Sequence, residues 1–349
     1  MPAPHTNRKM WSFIKSVMKT IFFKLYMNFI AAVYMFKENT YQRPRRLPDY
    51  GQLEGRTVVV TGGGRGIGEE AVQKFLSAGM KVICGVRSPE SVQAKFEKLR
   101  SEDKKGFTGT LICLHLDLMR LESVRSFADA VLNLDTPIHV LANNAGIMFG
   151  DRKVTEDGYE SQMSTNYLGH FLLTHLLMPA LAKTAADPLA GGARVVNVSS
   201  CAHYFGSWLD WSDWSSLTRF YSPEQAYGNS KVAQVLSTQH LARMMEAQGQ
   251  AVKVYSIHPG LVYTELYVNV WWMKPISLLT RAVMKTPEQG GDTLVHAVMD
   301  PELASWGSGL HLENHRPVGV SSFAGRRENQ EKMWADTCRL LGIQSFGQP

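Results

Sequence analysis

Tyr227 and Lys231 stand four residues apart in Ala226-Tyr227-Gly228-Asn229-Ser230-Lys231, a run that opens a long helical pattern, so the spacing predicts both on one face. A phenol with an ordinary pKa of about 10 is a poor base at neutral pH. An ammonium beside it stabilises the phenolate and brings it toward useful acid–base range. Upstream, the β-branched run 195–199 ends in Ser199-Ser200, presenting a hydroxyl able to hold a carbonyl or alcohol oxygen. Alone, a Tyr-x-x-x-Lys pair is an ordinary exposed helical pair. What precedes it gives it meaning.

Thr57–Thr61 runs into Gly62-Gly63-Gly64-Arg65-Gly66-Ile67-Gly68, and a helical pattern follows. Gly62 allows a tight turn, Gly66 lets backbone approach a pyrophosphate, and Gly68, after Ile67, permits close helix–strand packing. The phosphates then meet the positive end of the helix. A site built for NAD carries an acid at the end of the second strand, for the ribose 2′-hydroxyl. Residues 82–88 contain none; Arg87 is there, and Arg65 lies in the glycine turn. Two guanidiniums suit a 2′-phosphate, so NADP(H) is expected ahead of NAD(H); the alternative is two solvated surface arginines. Asp117 and Leu118 end the third strand, where a carboxylate would meet an adenine amino group. Asn143-Asn144-Ala145-Gly146 closes the fourth with small residues that permit close approach. Both segments also read as ordinary caps and turns.

The elements that must position these residues alternate along the chain. Candidate strands are 57–61, 81–86, 110–116, 138–142, 194–199, 252–257 and 309–312, with helical patterns such as 69–78, 121–132, 159–182 and 226–247 between them. Apolar strands alternating with helices predict an α/β fold: a Rossmann-type, doubly wound, seven-stranded parallel sheet with helices on both faces. A chain of 349 residues with 44% hydrophobic and 19% charged residues can bury a sizeable core, which excludes general disorder. Its four cysteines form no C-x-x-C pair, so neither a disulfide scaffold nor a metal site is expected.

Nine of the 37 Lys/Arg and two of the 31 Asp/Glu fall in residues 1–50, so that segment carries +7 and the remaining 299 residues −1. A neutral folded part argues against a nucleic-acid partner. Residues 1–50 read as a basic, apolar segment and linker, and 51–349 as one domain. The cleanest apolar run, 21–36, spans about 24 Å as a helix, short of a hydrocarbon core of about 30 Å. Attachment to a membrane is expected, spanning or monotopic. The alternative is a helix packed on the protein's own domain.

In this order, Thr61-Gly62-x3-Gly66-x-Gly68, Asn143-Asn144-Ala145-Gly146, Ser200 and Tyr227-x3-Lys231 resemble the short-chain dehydrogenase/reductases, over about residues 54–315. Asn166-Tyr167-Leu168-Gly169-His170-Phe171, the run from Val196 to His203, and Lys285–Gly290 are similar to the retinol-dehydrogenase-like branch. The resemblance implies that Tyr227 is the general acid/base and that Lys231 binds the nicotinamide ribose while lowering the tyrosine pKa. It implies that Ser200 orients the substrate oxygen and that Asn166 holds a water in a proton relay to Lys231. Pro259-Gly260-Leu261-Val262-Tyr263-Thr264 is similar to the family's nicotinamide-binding turn, with Thr264 near the carboxamide.

The implied reaction interconverts a lipophilic alcohol of the retinoid, polyisoprenoid or steroid class with its aldehyde or ketone. It implies a membrane-associated enzyme at the endoplasmic reticulum or a lipid droplet, its catalytic domain in a reducing compartment. Tyr204, Phe205, Trp208, Trp211, Trp214, Phe220 and Tyr221 form one aromatic insertion; Leu266, Tyr267, Val268, Val270, Trp271, Trp272, Met273 and 276–279 form a second apolar segment. Both suit walls around a long hydrocarbon, with core packing or a homo-oligomer interface as the alternative use. His203 reads as structural. The competing class is a catalytically silent dinucleotide-binding redox sensor or scaffold, which would have no chemical need for the full Ser–Tyr–Lys–Asn set.

Overall fold

A computed structural model of the chain describes residues 18, 22, 25–38, 40, 47–102, 106–187, 192–206, 214, 221–269 and 283–348. From the glycine turn onward the elements are β1 (Thr57–Thr61), α1 (Gly66–Ser77), β2 (Lys81–Val86), α2 (Pro89–Ser101), β3 (Thr110–His115), α3 (Leu121–Leu132), β4 (Val140–Asn143), α4 (Gly169–Ala186), β5 (Ala193–Val198), α5 (Pro223–Ala247), β6 (Val252–His258), α6 (Pro287–Met299), β7 (Leu310–Glu313), β8 (Arg316–Val318) and α7 (Arg327–Leu341). The central strands β1, β4 and β5 are buried at every residue, because their side chains face helices on both sides of the sheet. One layer packs α3, α4, α5 and α7 over Val59, Leu141 and Val195; the other packs α1, α2 and α6 over Val58, Val60 and Val196.

The strand order is β3-β2-β1-β4-β5-β6-β7-β8, parallel through β7. The expected seven parallel strands are all present, and the sheet has an eighth. β8 returns antiparallel to β7 through a two-residue turn at Asn314 and His315, both with positive φ (48° and 65°), as a type I′ hairpin requires. It is three residues long and holds Pro317, which an edge strand tolerates because it has no ladder partner beyond it. So short and polar a strand shows no hydrophobic alternation.

Two further elements matter for the site. The helix that becomes α4 starts at Ser161 and passes through a π turn at Ser164–Leu168, which carries Asn166. Residues 25–38 form an N-terminal helix that packs on the domain through Tyr34 and Glu38, while Leu25, Phe29 and Phe36 on its other side are more than half exposed. Among the described residues, no helix is long and apolar enough to cross a membrane.

Candidate active site

β1 and β4 lie side by side although β2 follows β1 in the chain, and this reversal of strand order opens a crevice at their carboxyl ends. A cavity of about 390 Å³ occupies it. Gly62, Arg65, Gly66, Ile67 and Gly68 line one end, and Ser200, Tyr227 and Lys231 the other. Between them stand Arg87, Asp117, Leu118, Ala145, Gly146, Pro259, Gly260, Val262 and Thr264. Seventeen residues far apart in sequence thus share one wall. Asn143 and Asn166 lie behind it.

The glycine end suits an elongated anion. α1 begins at Gly66 without a side-chain cap, so its first N–H groups open onto the cavity. Gly66 has φ 58°, a conformation that side chains disfavour. At Gly68 any Cβ would collide with Gly62 O, so the helix sits directly against the strand end. Asp117 Oδ1 accepts from Met119 N at 3.0 Å, which shapes the turn while the residue lines the cavity. Arg87 is exposed at the rim, whereas Arg65 Nη1 donates to Glu265 Oε2 at 2.9 Å. Free helix N–H groups, a backbone trough and guanidiniums fit a dinucleotide with its pyrophosphate on α1.

A polar floor lies beneath. Thr61 Oγ1 accepts from Asn144 N and Ala145 N, both at 3.0 Å, and contacts His170 Nε2 at 2.8 Å. His170 Nδ1 lies 3.1 Å from Asn166 O, which only accepts, so Nδ1 carries the proton and Nε2 accepts from the Thr61 hydroxyl. Burial pushes His170 down to about 4, consistent with this neutral ring. Asn143 turns inward and donates to Thr174 Oγ1 at 3.0 Å and Asn197 Oδ1 at 2.8 Å. Asn166 braces the loop after β4: Ile147 N donates to Oδ1 at 2.9 Å, and Nδ2 donates to Ile147 O at 3.0 Å and Ser230 Oγ at 2.9 Å. Both amide protons are used, leaving one lone pair of Oδ1.

At the chemistry end α5 presents Tyr227 and Lys231 on one face. The sequence predicts an ammonium lowering the phenol; here Lys231 Nζ donates to Val198 O at 2.8 Å and Gln234 Oε1 at 3.0 Å, 5.6 Å from the centroid of the tyrosine ring. Burial raises Tyr227 well above its ordinary value, and the Ser200 hydroxyl is the neighbour that opposes this. Burial also brings Lys231 down to about 7.

Apolar side chains begin where the hydroxyls end. Met148, Phe149, Phe205, Leu266 and Tyr267 surround Tyr227, joined by Met27 and Ile30 of the N-terminal helix. Phe149 meets the Tyr227 ring edge-on at 5.4 Å; its φ of 54° is held by Gln162 Oε1, which accepts from Phe149 N at 2.9 Å. Other expected wall residues point elsewhere. Trp214 packs on the main core, Tyr204 Oη donates to Gly319 O at 2.9 Å, and Tyr221 Oη to Gly150 O at 3.2 Å. Trp208, Trp211, Phe220 and residues 270–279 lie outside the described residues, as does the side chain of Val268. His203 is buried and neutral, pushed down to about 4 chiefly by burial, and accepts from Ser321 N at 3.2 Å, in keeping with a structural role. In the sequence Thr61 and His170 stand inside motifs with no role attached, and Gln234 carries no motif at all. Their only signal was polarity inside apolar runs.

Known proteins share this outline. A family profile described as short chain dehydrogenase matches residues 56–274. The chain is 34% identical over 337 residues to polyprenol dehydrogenase of Danio rerio, covering 96% of this chain and 100% of that one. It is 34% identical over 293 residues to retinol dehydrogenase 12 of Mus musculus, covering 84% and 88%. Its fold is similar to the crystal structure of an uncharacterized protein from Mycobacterium paratuberculosis, with TM-score 0.67 and 31% identity over 84% of this chain and 96% of that one. The protein is an oxidoreductase that interconverts alcohols and carbonyls with a nicotinamide dinucleotide, and it belongs to the short-chain dehydrogenase/reductase family, in the retinol-dehydrogenase-like branch.

Proposed function

We propose that the protein interconverts a lipophilic alcohol of the polyisoprenoid, retinoid or steroid class with its carbonyl, using NADP(H) in preference to NAD(H). The observation that carries this reading is the meeting of the Ser200 and Tyr227 hydroxyls with an apolar, Met- and aromatic-lined cluster at the far end of the cavity. Relatives named polyprenol and retinol dehydrogenases support the substrate class. Arg87, exposed at the adenosine end, supports the cofactor choice.

In this reading Ser200 Oγ holds the substrate oxygen. Tyr227 Oη gives its proton to the alkoxide oxygen during reduction and takes the alcohol proton during oxidation. Lys231 holds the ribose hydroxyls and, released from Val198 and Gln234 toward the cavity, lowers the phenol. Asn166 fixes the floor and offers its remaining lone pair to a relay water. When bound, the nicotinamide supplies or takes up the hydride. Residues 51–349 form one domain that carries Ser200, Tyr227, Lys231 and Asn166. The segment 1–50 attaches the protein to a membrane by the outward side of its helix, where Leu25, Phe29 and Phe36 form an exposed stripe at helical spacing.

The test is hydride transfer by detergent-purified full-length protein, offered both cofactors against polyisoprenoid, retinoid and steroid alcohols and carbonyls and against small water-soluble alcohols. Long apolar substrates should give the higher kcat/KM. Equal or better turnover of small water-soluble alcohols would overturn the substrate class.

A further inference from the structure

The Pro259–Thr264 turn is clamped from two sides. On one side Lys285 N donates to Leu261 O at 2.9 Å, and Tyr263 N donates to Lys285 O at 3.0 Å, a bridge formed just before α6. Neither bond engages Leu261 N, which faces the N-terminal helix. There Glu38, only 6% exposed, brings both carboxylate oxygens to that single N–H, Oε2 at 3.0 Å and Oε1 at 3.2 Å. His258 Nε2 lies 3.6 Å from Oε1, and the buried Lys285 adds a second positive neighbour. Four residues earlier Tyr34 Oη donates to Glu313 Oε1 at 2.6 Å, and its ring meets His258 edge-on at 5.2 Å.

A carboxylate withdrawn from water is costly unless its charge is answered. Burial drives Glu38 upward, but His258, Lys285 and the Leu261 N–H outweigh it, holding the carboxyl below its usual range. A helix needing only to stick to the domain would do so with apolar side chains, as Met27 and Ile30 do. Glu38 instead grips main chain, at the middle of the segment between Gly260 and Val262, both of which line the cavity.

We propose that Glu38 is a positioning residue for the dinucleotide: through Leu261 N it sets the placement of the Pro259–Thr264 turn, so the N-terminal helix is part of the cofactor-binding fold. This rests on the reading above that the turn receives the nicotinamide end. A purely structural helix dock would change thermal stability alone. Positioning changes dinucleotide affinity, and KM for the dinucleotide more than kcat.

The experiment compares full-length wild type with Glu38→Ala, Glu38→Gln and Tyr34→Phe, all in detergent. Its readouts are Tm, NADPH affinity by fluorescence titration, dinucleotide KM against kcat, and amide exchange of the peptide spanning 259–264 with and without NADPH. Glu38→Ala should weaken NADPH binding about tenfold, or about 1.4 kcal/mol, raise KM with little change in kcat, and speed exchange at the turn. Glu38→Gln keeps an acceptor for Leu261 N and should recover most of the affinity. Tyr34→Phe should lower Tm and leave NADPH affinity alone. If Glu38→Ala does not fold, Glu38→Asp, one methylene short of the N–H, should show the weakened binding instead. Unchanged affinity in the Glu38 variant, or equal weakening by Tyr34→Phe, overturns the proposal. If NADPH fails to protect 259–264 even in wild type, the reading of the turn falls first and takes the Glu38 assignment with it.

Discussion

Tyr227 and Lys231 are both withdrawn from water, and burial moves them in opposite directions, the phenol upward and the ammonium from 10.5 down to about 7. Between those two lysine values the unfolded chain keeps a proton that the folded chain has released, so stability rises with pH across about 7 to 10.5. Below 7 the folded protein carries the full cost of a buried ammonium. Lys231→Met should therefore be more stable than wild type near neutral pH, with the gap closing toward pH 10; thermal unfolding at stepped pH without dinucleotide reads this directly. A gap that does not change with pH would mean the lysine is not desolvated. For Tyr227→Phe, the ring and its packing against Phe149 remain but the proton is gone. Turnover should fall by about 10² to 10⁴, with Tm and NADPH affinity near wild type. At the other end, Arg87→Asp should weaken NADP(H) at least tenfold, about 1.4 kcal/mol, and leave NAD(H) equal or better. Arg65→Ala should do less, because its guanidinium is already paired with Glu265 in an ion pair whose side chains are 59% and 70% exposed. Direct titration with both dinucleotides separates the two arginines.

The N-terminal helix presents two apolar faces with different neighbours. Met27, Ile30 and Tyr34 turn toward the domain, and Leu25, Phe29 and Phe36 turn away. Replacing Leu25, Phe29 and Phe36 with Ser alters only the outward face, so flotation with liposomes should drop while NADPH affinity and Tm hold. Deleting residues 1–50 is a harsher change. It strips Tyr34 from Glu313 and Glu38 from His258 and Leu261, so it should lower Tm as well as membrane binding. A triple variant that floats like wild type would assign attachment to other residues. The π turn at Ser164–Leu168 shows the same economy of placement: one residue of extra winding aims Asn166 at Ile147 and Ser230 without ending the helix.

Across the molecule, the cavity lies where strand order reverses, and α5 brings Tyr227 and Lys231 to its wall. This much was legible in the chain. The glycine turn sits between a strand and a helix, Tyr227 and Lys231 are one helical turn apart, and seven apolar runs alternate with helical ones; each is a local signal, set by backbone geometry over a few residues. The NADP(H) expectation likewise came from the residue type at one strand end. Other features depended on distance through space between residues remote in sequence. Glu38 meets Leu261 across 223 positions, and Thr61 meets His170 across 109. β8 is too short and too polar to leave a periodic mark. The shared helical face does put the Lys231 ammonium 5.6 Å from the centroid of the Tyr227 ring, but periodicity does not show that Val198 O and Gln234 Oε1 take its protons. Local periodicity chooses which face a side chain shares. The packed neighbours on that face choose which partner it takes, and burial among them sets its charge.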